Sequence, residues 1–417
     1  MRNDHELAAY IGLDWGDQRH AVQMQAADGG PVELIELEQR PDALHAWVAQ
    51  LRQRCGGRPV AIAIEQRKGA VMHALMQYEF LVLYPINPKS LARYREVFHP
   101  SGAKDDPTDA ALLLDLVRTH RAPLRPWRPD TVTARRLQLL CEHRRKLVNL
   151  RGGLTNRLTS LLKQYFPQAL DWVGALDSRQ ACDFLQRWPS LAAVQRARPT
   201  TLRRFYQQHN CRRAAVIAGR LEQIATAQPL TTDPAIVDTL ALAVQSYAAQ
   251  LRPMLEAIHA FETQIAAVFA DHPDQALFAS FPGAGPVCAP RLAAAFGTDR
   301  TRWETAADVQ AYAGIAPVTE RSGKSVWVHH RLACPKFLKQ TFHEYADQSI
   351  RFSGWARRYY DQQRGRGNTH HAALRSLAFK WMRILFRCWQ DRTPYDEATY
   401  LAALRRHGSP LVMQENA

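Results

Sequence analysis

The sequence predicts an α/β domain with a mixed sheet, then a long helical, coiled-coil-like middle and a mainly α-helical C-terminal domain. Strand and helix patterns alternate from 8 to 98, leucines recur at a fixed spacing between 131 and 166, and short apolar segments with Gly-rich turns follow 271. A chain of 417 residues also exceeds one ordinary hydrophobic core. We therefore expect three domains, spanning 1–125, 126–270 and 271–417.

The first domain begins with three strand patterns joined by short turns, which predicts an antiparallel start to the sheet. The following apolar stretches alternate between helix and strand. Among common folds this order matches the ribonuclease-H-like arrangement best. The predicted elements are strands 8–16, 20–30 and 31–39, helix 41–55, strand 58–66, helix 70–78, strand 80–88 and helix 88–98.

The middle domain opens with leucines at every seventh position, which predicts one long helix with a coiled-coil-like seam. Arg144 and Arg151 interrupt this seam, so we expect its packing against a partner helix to be imperfect. The four leucines of the seam are Leu140, Leu147, Leu154 and Leu161.

The charge balance favours a polyanionic partner. Lys and Arg number 54 against 39 acidic residues, which gives a net charge of +15. Residues 184–221 contain eight arginines and no acidic residue, a pattern that fits a solvated face and a nucleic-acid-binding face equally well. The nucleic-acid-binding candidates in this stretch are Arg203, Arg204, Arg212 and Arg213.

The seven cysteines are scattered singly, which argues against a disulfide framework and a structural zinc site and favours a reducing cytoplasm. The N-terminus has no signal-peptide core, and no stretch approaches about 18 uninterrupted apolar residues, so we expect no membrane partner.

The stretch KDDPTDA (104–110) permits two interpretations. As a helix start, it would place Asp106 at the N-cap, Pro107 at the first helical position and Asp109 in the first turn. As a metal site, Asp106 and Asp109 would share one face of the helix and point at the sheet.

Two strand carboxylates support the metal interpretation. Asp14 lies on the first, central strand, and Glu65 ends the fourth strand, which a ribonuclease-H-like sheet places beside the first. Both interrupt otherwise apolar strands, where an unpaired carboxylate is costly. Mg²⁺ prefers such hard oxygen ligands, and phosphodiester chemistry uses several carboxylates around divalent ions. Asp14, Glu65, Asp106 and Asp109 are therefore candidate ligands of Mg²⁺ or Mn²⁺.

The motifs YIGLDWG, AIAIEQ and KDDPTDA resemble the Asp, Glu, Asp-x-x-Asp signature of the RuvC-like domain in DEDD insertion-sequence transposases. The best-known members of this family are recombinases guided by a bridge RNA. Downstream, FPGAGP, AYAGIAP, RSGKS and the Ala/Leu-rich basic tail resemble the family's C-terminal transposase domain.

This resemblance implies that Ser322 is the nucleophile, which attacks a DNA phosphodiester and becomes covalently linked to the strand. It places Lys104, Asp106 and Asp109 on the family's motif and leaves Asp105 in a variable position. Arg321 and Lys324 could assist by contacting the phosphate.

The resemblance further implies a bacterial, nucleoid-associated protein that binds double-stranded donor and target DNA and a structured guide (bridge) RNA. It implies a homo-oligomer, a dimer that assembles to a tetramer, in which one subunit supplies the carboxylates and another the serine. The sequence departs from the family after Ser322, where HHRLACPKFLKQ stands in place of a usual Gly-Asn pair.

Two alternatives remain open from the residues. A metal-dependent nuclease of the Holliday-junction-resolvase type would use the carboxylates with water and would not need Ser322, which would then only form a turn before a strand. A non-catalytic RNA- or DNA-binding protein would use the fold as a scaffold.

Overall fold

In the computed structural model, residues 7–65, 69–98 and 105–411 are described. They divide into two compact units, with the boundary between Asp130 and Thr131. The three-domain division at 125 and 270 remains a prediction. No helix in the described ranges is long and apolar enough to span a membrane.

The first unit contains a five-stranded mixed sheet in the order β3-β2-β1-β4-β5. Strand β1 pairs antiparallel with β2 and parallel with β4, so the first strand is central and the fourth lies beside it, as the sequence predicts. The strands are β1 Ala9–Asp14, β2 Arg19–Ala26, β3 Glu33–Glu38, β4 Val60–Ile64 and β5 Leu81–Pro85.

Helices cover both faces of this sheet, because its central strands are apolar on both sides. On one face, Ile11, Leu13 and Ile62 belong to a core that also contains residues of α1 and α2. On the other face, Ala61 and Ala63 pack with residues of α3 and α4. The helices are α1 Pro41–Arg54, α2 Ala70–Leu75, α3 Pro88–Phe98 and α4 Asp106–Thr119.

Gly12 allows α4 to lie directly on β1. A Cβ atom at this position would come within 2.0 Å of the Ala110 carbonyl oxygen and 2.3 Å of the Leu114 amide nitrogen. Only a residue without a side chain permits this approach of the two backbones. The first turns of α4 are thereby held against the strand that ends in Asp14.

The second unit is helical apart from one hairpin, β6 Pro317–Ser322 with β7 Ser325–His330. Its longest elements are α5 Val132–Tyr165 and α11 Pro234–Ala270, which pack on each other. The shorter helices before α11 are α6 Ala169–Trp172, α7 Arg179–Arg187, α8 Leu191–Gln195, α9 Pro199–Gln208 and α10 Ala214–Thr226. Those after it are α12 Gln275–Ala279, α13 Gly285–Phe296, α14 Ala306–Tyr312, α15 Lys336–Phe352, α16 Gly354–Gly365, α17 His370–Asp391 and α18 Glu397–Arg406, with a 3₁₀ turn at Arg300–Arg302.

Two hydrophobic cores fill the second unit, and α5 and α11 contribute to both. The buried face of α5 differs from the predicted heptad seam, because Leu140, Leu147 and Leu161 are only half-buried. The helix packs on α11 and on several short helices at once, so its buried face follows spacings of three and four residues. The most buried leucines of α5 are Leu137, Leu158 and Leu162.

Candidate active site

Asp14 ends the central strand and is 4% exposed. Side chains alternate between the two faces of a strand, so Asp14 lies on the same face as Gly12, two residues earlier. That face is covered by α4. The carboxylate is therefore placed at the carboxyl end of β1, on the side where α4 begins.

Glu65 directly follows β4 and is half-buried. The register pairs Leu13 with Ile64, so Asp14 and Glu65 follow paired positions of neighbouring parallel strands. Ala63 belongs to the core shared with α4, and the alternation along β4 assigns Glu65 to that same face. Asp14 and Glu65 are thus brought to one edge and one face of the sheet.

The start of α4 differs by one residue from the predicted cap. Asp105 is the N-cap, and its Oδ1 accepts a hydrogen bond of 2.7 Å from the amide of Thr108. Asp106 is the first helical residue and Pro107 the second, a position at which proline also costs no intrahelical hydrogen bond. Asp105, which the family motif leaves variable, therefore has a structural function as the helix cap.

Asp109 is completely buried, and its charge is balanced by Arg95 of α3. The Arg95 Nε donates to Oδ1 at 2.7 Å and Nη2 donates to Oδ2 at 2.6 Å, a bidentate pair. Asp109 precedes Ala110, whose carbonyl faces Gly12, so it lies at the same end of the sheet as Asp14. Asp106 lies one turn earlier on the same helix and is exposed.

The four carboxylates suit a divalent metal in chemical type and in their position at one sheet edge. Their side chains do not surround a common point: no group of three or more His, Cys, Asp or Glu among the described residues is arranged to hold a metal ion. Asp109 is directed at Arg95, which occupies the place of a counter-ion. The set therefore fits a metal in composition and location, and ligation would require Asp109 to exchange or share its partner.

Sequence reasoning missed Arg95. The signal available was its position one turn after Leu91 on an amphipathic helix, which places both side chains on the buried face. Lone arginines at such positions are common, so the sequence alone did not distinguish this one.

Ser322 ends β6 at the tip of the hairpin in the second unit and is exposed. Gly323 and Lys324 form the two-residue turn, and Gly323 has a φ of +55°, a region that favours glycine. Arg321 and Lys324 flank the serine and are exposed. The tip of the hairpin thus presents a hydroxyl with Lys324 in the adjoining turn, while Arg321 pairs with Val326 and points to the opposite face.

The remaining predicted residues are Lys104 and four arginines of the middle region. Lys104 lies outside the described residues. All four arginine candidates of the middle region are exposed, two on α9 and two between α9 and α10. They are Arg203, Arg204, Arg212 and Arg213.

The motif FPGAGP lines an open groove of about 1020 Å³ between the start of α13 and the helices α15 and α17. His343 and Arg351 lie in the same wall. Burial, followed by the charges of Arg375 and Lys339, lowers the pKa of His343 to about 4. The imidazole is therefore neutral at pH 7.

The chain thus has two parts. The first is a sheet with carboxylates at one edge, and the second is a helical unit with an exposed serine on a hairpin. A family model of DEDD transposases of the IS110 group, described as "Transposase", matches residues 11–167. A second, described as "Transposase IS116/IS110/IS902 family", matches residues 275–361. The chain therefore carries the two transposase domains of the IS110/IS116/IS902 family.

Similar proteins from actinobacterial insertion elements extend over nearly the whole chain. The mini-circle protein for IS117 of Streptomyces coelicolor is 28% identical, over 96% of this chain and 98% of its own length. The uncharacterized 43.6 kDa protein of insertion element IS110, also from Streptomyces coelicolor, is 28% identical over 95% and 97%. The 42 kDa protein of insertion element IS900 from Mycobacterium paratuberculosis is 27% identical over 94% and 98%.

Proposed function

We propose that this chain is the transposase of an insertion sequence and cuts and rejoins DNA strands through Ser322. The observation that supports it most is the convergence of Asp14, Glu65 and the start of α4 at one edge of the sheet. Both units also match transposase domains of a single family.

The reaction assigned to Ser322 is a phosphoryl transfer. The Ser322 Oγ loses its proton and forms a bond to phosphorus, while the bond from phosphorus to the leaving strand breaks and that strand's oxygen takes up a proton. Rejoining reverses these steps with the hydroxyl of another strand. A serine hydroxyl is a weak nucleophile, and Arg321 and Lys324 would stabilise the negative charge on the phosphoryl oxygens.

In this proposal, Asp14, Glu65, Asp106 and Asp109 hold Mg²⁺ or Mn²⁺. When bound, the metal would neutralise charge on the phosphate and favour the ionised form of the attacking hydroxyl. Asp14 is held in position by the end of β1, and Asp109 by the contact of α4 with Gly12. Lys104 and the arginines at 203, 204, 212 and 213 are assigned to the nucleic-acid backbone.

The central experiment looks for a covalent complex between the protein and DNA that carries the ends of its insertion element. Denaturing gels should show this adduct with the wild type and with Ser325→Ala, and should lack it with Ser322→Ala. Ser325 is the matched control, because it pairs with Ser322 across the hairpin and has the same hydroxyl. Asp14→Asn should also abolish the adduct.

Other outcomes of this experiment would support the alternatives. Strand cutting that persists in Ser322→Ala and forms no adduct would identify a metal-dependent nuclease. If Asp14→Ala and Glu65→Ala left transposition intact, a nucleic-acid-binding protein without catalysis would be the better description.

The proposal extends to a bridge RNA and to a dimer that assembles to a tetramer on donor and target DNA in the cytoplasm. The net charge of +15 suits such polyanions. RNA that copurifies with the chain should contain one discrete species when sequenced, and recombination should require its addition. Strand exchange that proceeds equally well without RNA would contradict the guided mechanism.

A further inference from the structure

The hairpin β6–β7 leaves large apolar side chains in solvent. Val326 and Trp327 are each 55% exposed and Val328 is 66% exposed. All residues of β7 are exposed, and in β6 only Val318 is half-buried. An isolated two-stranded hairpin is at best marginally stable in water, so its exposed apolar side chains are candidates for contact with a partner.

The register of the hairpin places Trp327 on the same face as Ser322. Ser322 pairs with Ser325, and Trp327 follows Ser325 by two residues, so all three side chains share one face. Val326 and Val328 point to the opposite face. Diagonal neighbours of this kind lie about 7–8 Å apart, so the indole lies close to any group that Ser322 contacts.

The position of Ser322 and the cations at the tip of the hairpin favour a nucleic-acid strand as the occupant of this face. Lys324 lies in the turn beside Ser322, whereas Arg321 pairs with Val326 and lies on the opposite face. The positive charge of Lys339, followed by desolvation and the charge of Arg375, lowers the pKa of His330 at the end of β7. Glu320 pairs with Trp327 on the same face, and its Oε1 lies 3.4 Å from the Nε2 of His329.

An exposed aromatic ring with a cation close by is a combination with which proteins bind single strands, because a base stacks on the ring while the cation contacts a phosphate. DNA is the strand that Ser322 attacks in the proposed function, so it reaches this face, and its charge is complementary to that of Lys324.

We propose that Trp327 is a positioning residue that stacks on a DNA base next to the phosphodiester that Ser322 attacks. The inference rests on the proposed function for the identity of that strand. Stacking on the indole would draw the base away from its neighbours in the duplex and hold the phosphate in front of the hydroxyl.

The test measures binding of a fluorescently labelled single-stranded oligothymidylate to the full chain carrying Ser322→Ala, so that no strand is cut. Adding Trp327→Ala should weaken binding roughly 5- to 150-fold, and Trp327→Phe should retain most of the affinity. Val328→Ala is the matched control, since it truncates an exposed side chain on the opposite face, and it should bind like the parent. Oligothymidylate should also quench tryptophan fluorescence less in Trp327→Phe than in the parent.

Four results would overturn the inference. Trp327→Ala could bind as tightly as the parent, or Val328→Ala could lose as much affinity, which would indicate unspecific adhesion by the hairpin. An oligouridylate bound more tightly through Trp327 would assign the site to RNA. Weaker self-association of Trp327→Ala in sedimentation, with oligothymidylate binding unchanged, would assign the hairpin to a second copy of the chain.

The binding test of Trp327 gives its answer independently of the adduct test of the proposed function. A covalent adduct that persists in Ser322→Ala would remove Ser322 from the chemistry. The oligothymidylate measurements would still decide whether Trp327 binds a base.

Discussion

Asp109 is a carboxylate with no exposure to solvent, and the bidentate pair with Arg95 balances its charge inside the first unit. Removing one partner of such a pair leaves the other buried and uncompensated. Arg95→Met should therefore lower the free energy of unfolding of this unit by about 3–5 kcal/mol, measured by urea denaturation. Arg93→Met on the exposed side of the same helix is the control and should change little.

The same variant tests whether Asp109 can ligate a metal. In Arg95→Met the carboxylate has lost its guanidinium, and Mg²⁺ could take over its charge. Addition of Mg²⁺ should then raise the urea midpoint more in Arg95→Met than in the wild type. If Mg²⁺ stabilises both proteins equally, Asp109 is a structural residue only.

Asp105 and Asp109 should differ in what their loss affects. Asp105→Ala removes the side-chain cap of α4 and should cost about 1 kcal/mol of stability while strand cutting continues. Asp109→Asn should abolish strand cutting. Assays of DNA cleavage beside thermal denaturation separate the two effects, and an equal loss of cleavage in both variants would contradict the assignment.

His343 should make the second unit sensitive to acid. Burial, with Arg375 and Lys339 nearby, lowers its folded pKa to about 4, whereas the unfolded pKa is about 6.5. Between these values the unfolded chain binds more protons, so stability is full above pH 6.5 and declines as the pH falls towards 4. His343→Gln should show a shallower decline in urea midpoint over this window. Identical pH profiles for the two proteins would exclude His343 as a source of the effect.

At the scale of elements, the contact between α4 and β1 decides where the carboxylates meet. Gly12→Ala would press a methyl group into the backbone of α4 at Ala110 and Leu114. The helix must shift, at a cost of roughly 1–3 kcal/mol or more, and Asp109 shifts with it. We expect lower stability and lower strand cutting together.

Gly152→Ala provides the control for this change. Gly152 lies in the long helix α5, and a Cβ there meets no atom within 4 Å. The substitution should be neutral or stabilising by up to about 1 kcal/mol, because alanine favours a helix more than glycine does. If Gly12→Ala is as stable as the wild type, α4 accommodates the added methyl group without loss of stability.

At the scale of the whole molecule, the excess of positive charge should govern nucleic-acid affinity. Each phosphate contact contributes about 0.9 to the slope of log affinity against log salt concentration. If Arg203 and Arg204 contact phosphates, Arg203→Ser with Arg204→Ser should reduce the slope by about 1.8. Arg405→Ser with Arg406→Ser removes two exposed helical arginines elsewhere and is the matched control. If the two double variants show the same salt slope, residues 184–221 form a solvated face and do not contact phosphates.

The sequence by itself predicted the antiparallel start of the sheet, because apolar alternation marks each strand and the first connections are short. The ribonuclease-H-like order of elements then placed the fourth strand beside the first, and with it Glu65 beside Asp14. The two carboxylates were recognisable because they interrupt apolar strands. The motifs around them also carried the resemblance to the transposase family, whose two domains the comparisons then found.

Only the tertiary structure decided which partner each acid takes and which face of each helix is buried. Asp109 meets Arg95 because α3 and α4 pack on the same face of the sheet. In α5, Leu137 and Leu158 are more deeply buried than the leucines of the predicted seam, because several helices surround α5. These outcomes depend on contacts between residues far apart in the chain, which no local pattern encodes.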